Sequence, residues 1–179
     1  VSSHLYYYAK LVLVRVDIGY RKDVRHLFSM DDLMAGRERL FSKRANHPCF
    51  DNLLGYVWAI EEGIRKGPHC HILLIFDGSV VRADMRLARG ICNLWDNDVS
   101  EGYGCSWSTN LNKQNLKDLG IGMIERADAD ACSKAVFFAT YLTKNPHHPE
   151  QMRDPQYVRM KPPSAREFGT SQDDFPLVK

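Results

Sequence analysis

The stretch LLGYVWAIEE–GIRKGP–HCHILLIF, Leu53 to Phe76, does most to limit how this chain folds. Two apolar runs rich in β-branched and aromatic residues flank a turn bounded by glycine and proline. They read as two strands, Leu53–Glu62 and His69–Phe76, joined as an antiparallel hairpin. Upstream, KLVLVRVDI (Lys10–Ile18) alternates and reads as another strand. Ser29 precedes Asp32 at capping-box spacing and opens a helix through about Ala45, closed by His47–Pro48. Leu87, Ile91, Leu94 and Trp95 recur at helical spacing within Arg82–Trp95. Tyr103–Thr109 and Leu119–Glu125 read as short strands. Asp128 or Asp130 caps a last helix that runs to about Lys144 and stops at Asn145–Pro146. The order β-α-β-β-α-β-β-α predicts an α+β fold: an antiparallel sheet of about five strands with helices packed on it, of the split-βαβ, ferredoxin-like type. Residues 1–146 form the expected domain. Residues 147–179, polar and proline-rich, are expected as a tail packed on it or extending from it.

Composition narrows the function classes. At 179 residues, 44% hydrophobic and 26% charged, the chain suits one globular domain with a real core. With 24 basic against 22 acidic residues the net charge is +2, so any nucleic-acid surface must come from local clusters. The longest apolar run, Ile72–Phe76, is far too short to span a bilayer, and no membrane partner is expected. The opening VSSHLYYYAK has neither a leader pattern nor a Met, which fits a fragment or processed chain. Cys49, Cys70, Cys92, Cys105 and Cys132 never fall in a CxxC spacing. They are expected to be reduced, in the cytoplasm, and not to form a zinc knuckle.

The candidate chemistry begins at His69 and His71. Side chains alternate across a strand, so both imidazoles share a face while Cys70 turns to the other. The hairpin brings Glu61 and Glu62 alongside, and one of them projects onto the histidine face. Two imidazoles and a carboxylate make a three-ligand site with open positions. It suits Mg²⁺ or Mn²⁺ holding a phosphate oxygen, or zinc or iron activating water or oxygen. The same pattern also fits two buried histidines that only hydrogen-bond.

A second constellation lies on the last helix. Tyr141 and Lys144 are three apart and share a face. Ala131, Ala135, Phe138 and Leu142 form a separate apolar stripe that faces the sheet. A tyrosine near the stripe's edge is a potential nucleophile, favoured as phenolate by a nearby cation. Taken alone, a tyrosine simply packed at a helix edge with its hydroxyl in water is the better reading.

The order H-x-H strand (HCH, His69–His71), acidic residue on the preceding strand, then a helix with YLTK (Tyr141–Lys144) resembles the HUH endonuclease superfamily, single-tyrosine type. LVLVRVDIGY, YVWAIEE and REFGTSQ (Arg166–Gln172) make it more similar to the replication-initiation proteins of inoviruses and prophage elements. The resemblance implies a metal-dependent endonuclease that nicks and rejoins single-stranded DNA. Mg²⁺ or Mn²⁺ is held by His69, His71 and Glu61, the glutamate that follows an aromatic, Trp58, by three. Tyr141 attacks the phosphate, leaving a 5′-phosphotyrosine and a free 3′-hydroxyl that primes rolling-circle replication. Lys144 neutralises charge. The implied partners are an origin strand or hairpin and host replication proteins, in the cytoplasm of a bacterial host. Cys70 stands where the superfamily usually has a bulky hydrophobe, and no second tyrosine follows Tyr141. The same chemistry serves transposition or plasmid mobilisation. A non-catalytic nucleic-acid-binding module and a hydrolase using only the metal are competing readings. DNA contacts are expected from Arg21, Lys22, Arg65 and Lys66, with Arg25 and the helix cluster Arg37, Arg39, Lys43 and Arg44 as further cations. Tyr6–Tyr8, Trp95 and Trp107 are candidates for stacking bases.

Overall fold

The structure, a computed structural model, describes residues 1–63, 66–115, 120–143 and 168–170. A short helix, α1 (Ser2–Tyr7), leads into β1 (Lys10–Tyr20). Then come α2 (Met30–Ser42), the hairpin β2 (Leu53–Gly63) and β3 (Gly67–Asp77), α3 (Asp84–Asn93), β4 (Gly104–Ser108), β5 (Gly122–Glu125), α4 (Ala129–Thr143) and β6 (Phe168–Thr170). The strands make one six-stranded sheet in the order β4-β1-β3-β2-β6, with β5 also on β1. Every pairing is antiparallel. The β1-α2-β2-β3-α3-β4 segment with strand order 4-1-3-2 is the split-βαβ arrangement expected from the sequence.

Local chemistry explains the element ends. The Ser29 hydroxyl accepts from the Asp32 amide at 3.2 Å, and the Asp32 carboxylate accepts from the Ser29 amide at 2.7 Å, closing the capping box of α2. For α4 the capping residue is Asp128, whose carboxylate accepts from the Ala131 amide at 3.0 Å. Gly67 opens β3 at φ +70°, a left-handed conformation that a β-carbon would strain.

The two faces of the sheet are both covered, by different means. Val12, Val14, Val16, Ile18, Cys70, Ile72, Leu74 and Phe76 point to one face and pack with Leu33, Leu40, Leu87 and Ile91 of α2 and α3. Leu11, Leu13, Leu73 and Ile75 point to the other and pack with Leu5 of α1 and Ala135 and Leu142 of α4. Ala131 and Phe138 flank that second cluster, so the apolar stripe expected on the last helix does face the sheet. Along β1 the second face changes character. Leu11 and Leu13 lie in the core, whereas Arg15, Asp17 and Gly19 continue the same alternation with charge and then no side chain. Helices α1 and α4 cover the apolar half, and the charged half holds the histidines.

Three features depart from the sequence expectation. Helix α1 was not foreseen. Within the expected tail, β6 pairs with β2 through Val57–Ala59. Trp95, offered as a base-stacking residue, is fully buried; its indole N–H donates to the Gly19 carbonyl at 2.8 Å, in a π-helical turn (Leu94–Val99) that prolongs α3. No helix among the described residues is long and apolar enough to cross a membrane.

Candidate metal centre

Strand register assembles the site. Asp17 pairs with His71 and Gly19 with His69 between β1 and β3. Glu61 pairs with His69 between β2 and β3. Directly opposed residues share a face, so Asp17, Glu61, His69 and His71 project together. Glu62 pairs with Pro68 and, by the same parity, belongs to the opposite face, so it is not the alternative ligand. Cys70 also turns away. It is wholly buried in the first core, and burial pushes its thiol pKa up.

The glutamate and both imidazoles converge. One Glu61 carboxylate oxygen lies 3.4 Å from Nε2 of His69 and 3.4 Å from Nε2 of His71. The donor atoms of Glu61, His69 and His71 all lie within 4.8 Å of one another, close enough to share a cation. The rings stand nearly perpendicular, their centres 5.0 Å apart. Each ring is also gripped from behind. Nδ1 of His69 is 3.0 Å from the Gly67 carbonyl, which accepts its proton. Nδ1 of His71 is 2.9 Å from the Asp17 carboxylate. With Nδ1 engaged, the Nε2 positions are the ones presented to an ion, the arrangement that orients histidine ligands in metal sites.

Asp17 is the residue that sequence reasoning missed. It accepts from Arg15 Nε at 2.8 Å and Nη2 at 3.2 Å, as well as from His71. Burial works against its charge, but the hydrogen bonds with His71 and Arg15 outweigh that and lower its pKa. Glu61 is held well below the usual carboxylate range by its hydrogen bonds to His69 and His71. Burial disfavours charge on His71, yet hydrogen bonds to Asp17 and Glu61 carry its pKa up to about 9. The metal-free cluster thus holds a proton that a cation must displace. A ligand set of two oriented imidazoles and an ionised carboxylate fits a divalent ion.

Helix α4 meets the same face. Phe138 lies 5.3 Å beneath the Arg15 guanidinium, linking the helix through Arg15 and Asp17 to His71. The backbone of Tyr141 follows less than one turn later in α4. Its side chain, Lys144 and Arg65 lie outside the described residues.

Beside the histidines opens a cavity of about 500 Å³ lined by Asp17, Gly19, Lys22, Arg25, Lys66, His69, His71, Cys105 and Trp107, among others. Lys22 and Lys66 therefore line a cavity that adjoins the histidines. Arg21 does not line the cavity; it donates to the Gly102 carbonyl and pairs with Asp23. The cations of the α2 region are used elsewhere. Arg37 stacks on Trp58 at 3.8 Å, Lys43 pairs with Asp98, and Arg44 donates to the Phe41 carbonyl.

Residues 1–153 match the YagK/YfjJ C-terminal domain, and the chain belongs to that family. No curated protein and no solved structure matches the chain significantly.

Proposed function

We propose that this family member is a metal-dependent single-stranded DNA nicking-joining endonuclease of the HUH type, acting in rolling-circle replication. The observation that carries the reading is the convergence of Glu61, His69 and His71, with Asp17 and the Gly67 carbonyl fixing the far nitrogens. Support also comes from α4, which bears Tyr141 and packs on the same sheet face.

Glu61, His69 and His71 would hold Mg²⁺ or Mn²⁺, which would polarise a non-bridging phosphate oxygen and stabilise the charge that develops on it. The phenol oxygen of Tyr141 attacks phosphorus and loses its proton. The new oxygen–phosphorus bond replaces the bond to the 3′-oxygen, which leaves and is protonated. The product is a 5′-phosphotyrosine and a free 3′-hydroxyl, and reversal rejoins the strand. Lys144 neutralises charge near the phosphate. Asp17 keeps the His71 ring in place.

The test is a covalent adduct. The protein is incubated with a labelled pool of random-sequence single-stranded DNA and Mn²⁺, then run on a denaturing gel. The reading expects a protein–DNA adduct that disappears with chelator and in Tyr141→Phe. Cleavage that persists in Tyr141→Phe would identify a metal hydrolase instead. Binding without cleavage would identify a binding module.

A further inference from the structure

Beyond Asp17, His69 and His71, the cavity beside the metal ligands has a lining that the nicking chemistry does not use. Trp107 pairs with Asp17 across β4 and β1, so its indole rises from the same face as His71. It is 45% exposed, on the edge strand β4, and belongs to neither core cluster. No ring or cation stacks on it among the described residues, whereas Trp58 lies under Arg37 and Trp95 is buried. Lys22, Arg25 and Lys66 ring the same cavity and form no ion pair among the described residues. Among the described residues the lining has one carboxylate, Asp17, and it is already committed to Arg15 and His71.

An uncovered indole in a concave site is apolar surface waiting for a flat partner, and uncompensated cations around it favour phosphate. We infer that this cavity is the seat of one unpaired nucleotide of the substrate strand, its base stacked on Trp107 and its phosphates held by Lys22, Arg25 and Lys66. The inference rests on the proposed action on single-stranded DNA. The volume, about 500 Å³, is within the ordinary range of small-molecule pockets. Paired bases are already stacked on both faces and cannot offer one to Trp107, so the seat selects single strands. Stacking on one face tolerates any base, so sequence choice must arise elsewhere along the strand.

Tryptophan emission reads the seat directly, because Trp58 and Trp95 are buried. The full chain is titrated with a short oligothymidylate in the presence of a chelator. We expect quenching that is absent in Trp107→Ala and affinity that falls about tenfold in that variant, with Trp107→Phe retaining most of it. A duplex of the same length should not quench. Lys22→Ala and Lys66→Ala should weaken binding and flatten its salt dependence. Trp107→Ala binding as tightly as the parent, or duplex and single strand quenching alike, overturns the inference. The two levels separate cleanly. Quenching without any covalent adduct leaves the seat and removes the nicking reading; an adduct formed at parental rate and strand affinity by Trp107→Ala does the reverse.

Discussion

Replacing Asp17 by alanine should disable the metal centre without touching a ligand. Asp17 Oδ1 lies 2.9 Å from His71 Nδ1, and Arg15 Nη2 lies 3.2 Å from that same nitrogen. While the carboxylate is present, Nδ1 carries a proton and donates it, leaving Nε2 to face Glu61. Without it, the nearest group is a guanidinium, which only donates. In the parent an incoming ion displaces the Nε2 proton and leaves the Nδ1 proton on Asp17; in the variant Nδ1 would become the acceptor, so the one proton of the neutral ring would sit on Nε2, where it blocks coordination. Loss of such an orienting partner typically weakens metal binding tenfold to a hundredfold, about 1.4 to 2.8 kcal/mol. Isothermal titration with Mn²⁺ measures this, with His71→Ala as the reference for a lost ligand. Asp17→Ala also leaves Arg15 largely buried and without its carboxylate, so a loss of about 1–3 kcal/mol of stability is expected by chemical denaturation. The decisive variant is Asp17→Ala combined with Arg15→Met. With no donor facing Nδ1, the imidazole recovers its other tautomer, and Mn²⁺ affinity should rise above that of Asp17→Ala alone. Unchanged affinity in Asp17→Ala, or a double variant no better than the single one, refutes the tautomer argument.

Other consequences can be checked on the metal-free protein. The folded pKa of His71, about 9, lies above its ordinary value of about 6.5, so its contribution is complete below about pH 6.5 and lost as pH rises through 9. Thermal melts should show this alkaline loss, at most about 3 kcal/mol, and His71→Ala should lack it. Gly36→Ala places a β-carbon 2.8 Å from the Trp95 ring in the core, so α2 must shift; about 1–3 kcal/mol of destabilisation is expected on denaturation. Ser29→Ala removes one half of the α2 capping box and should cost about 0.5–2 kcal/mol in the same assay.

The fold was legible because its signals are local. The β2–β3 hairpin follows from two short apolar runs and a turn, and the capping box of α2 from Ser29 and Asp32. Strand parity separated Cys70 from His69 and His71. What parity left open was register: Glu61 or Glu62 depends on where the hairpin turns, and the pairing of Gly63 with Gly67 decides it. Asp17 was hidden for a related reason. In VRVDI it looks like an ordinary outward residue, and its role exists only through a pairing with His71 more than fifty residues away. One trace of it was present. Leu11, Leu13, Arg15 and Asp17 share a face that turns from apolar to charged midway, which marks where the covering helices end. Trp95 misled because exposure cannot be read from residue type; the π-helical turn after α3 carries it into the core. The three-residue β6 is too short to show a period.

The centre itself is tested most directly by anomalous diffraction from crystals soaked in MnCl₂. A manganese peak is expected, bonded by Nε2 of His69, Nε2 of His71 and a carboxylate oxygen of Glu61, with the Asp17 hydrogen bond to His71 intact. An absent peak at these three residues, or manganese bound elsewhere while they remain hydrogen-bonded to one another, would contradict it.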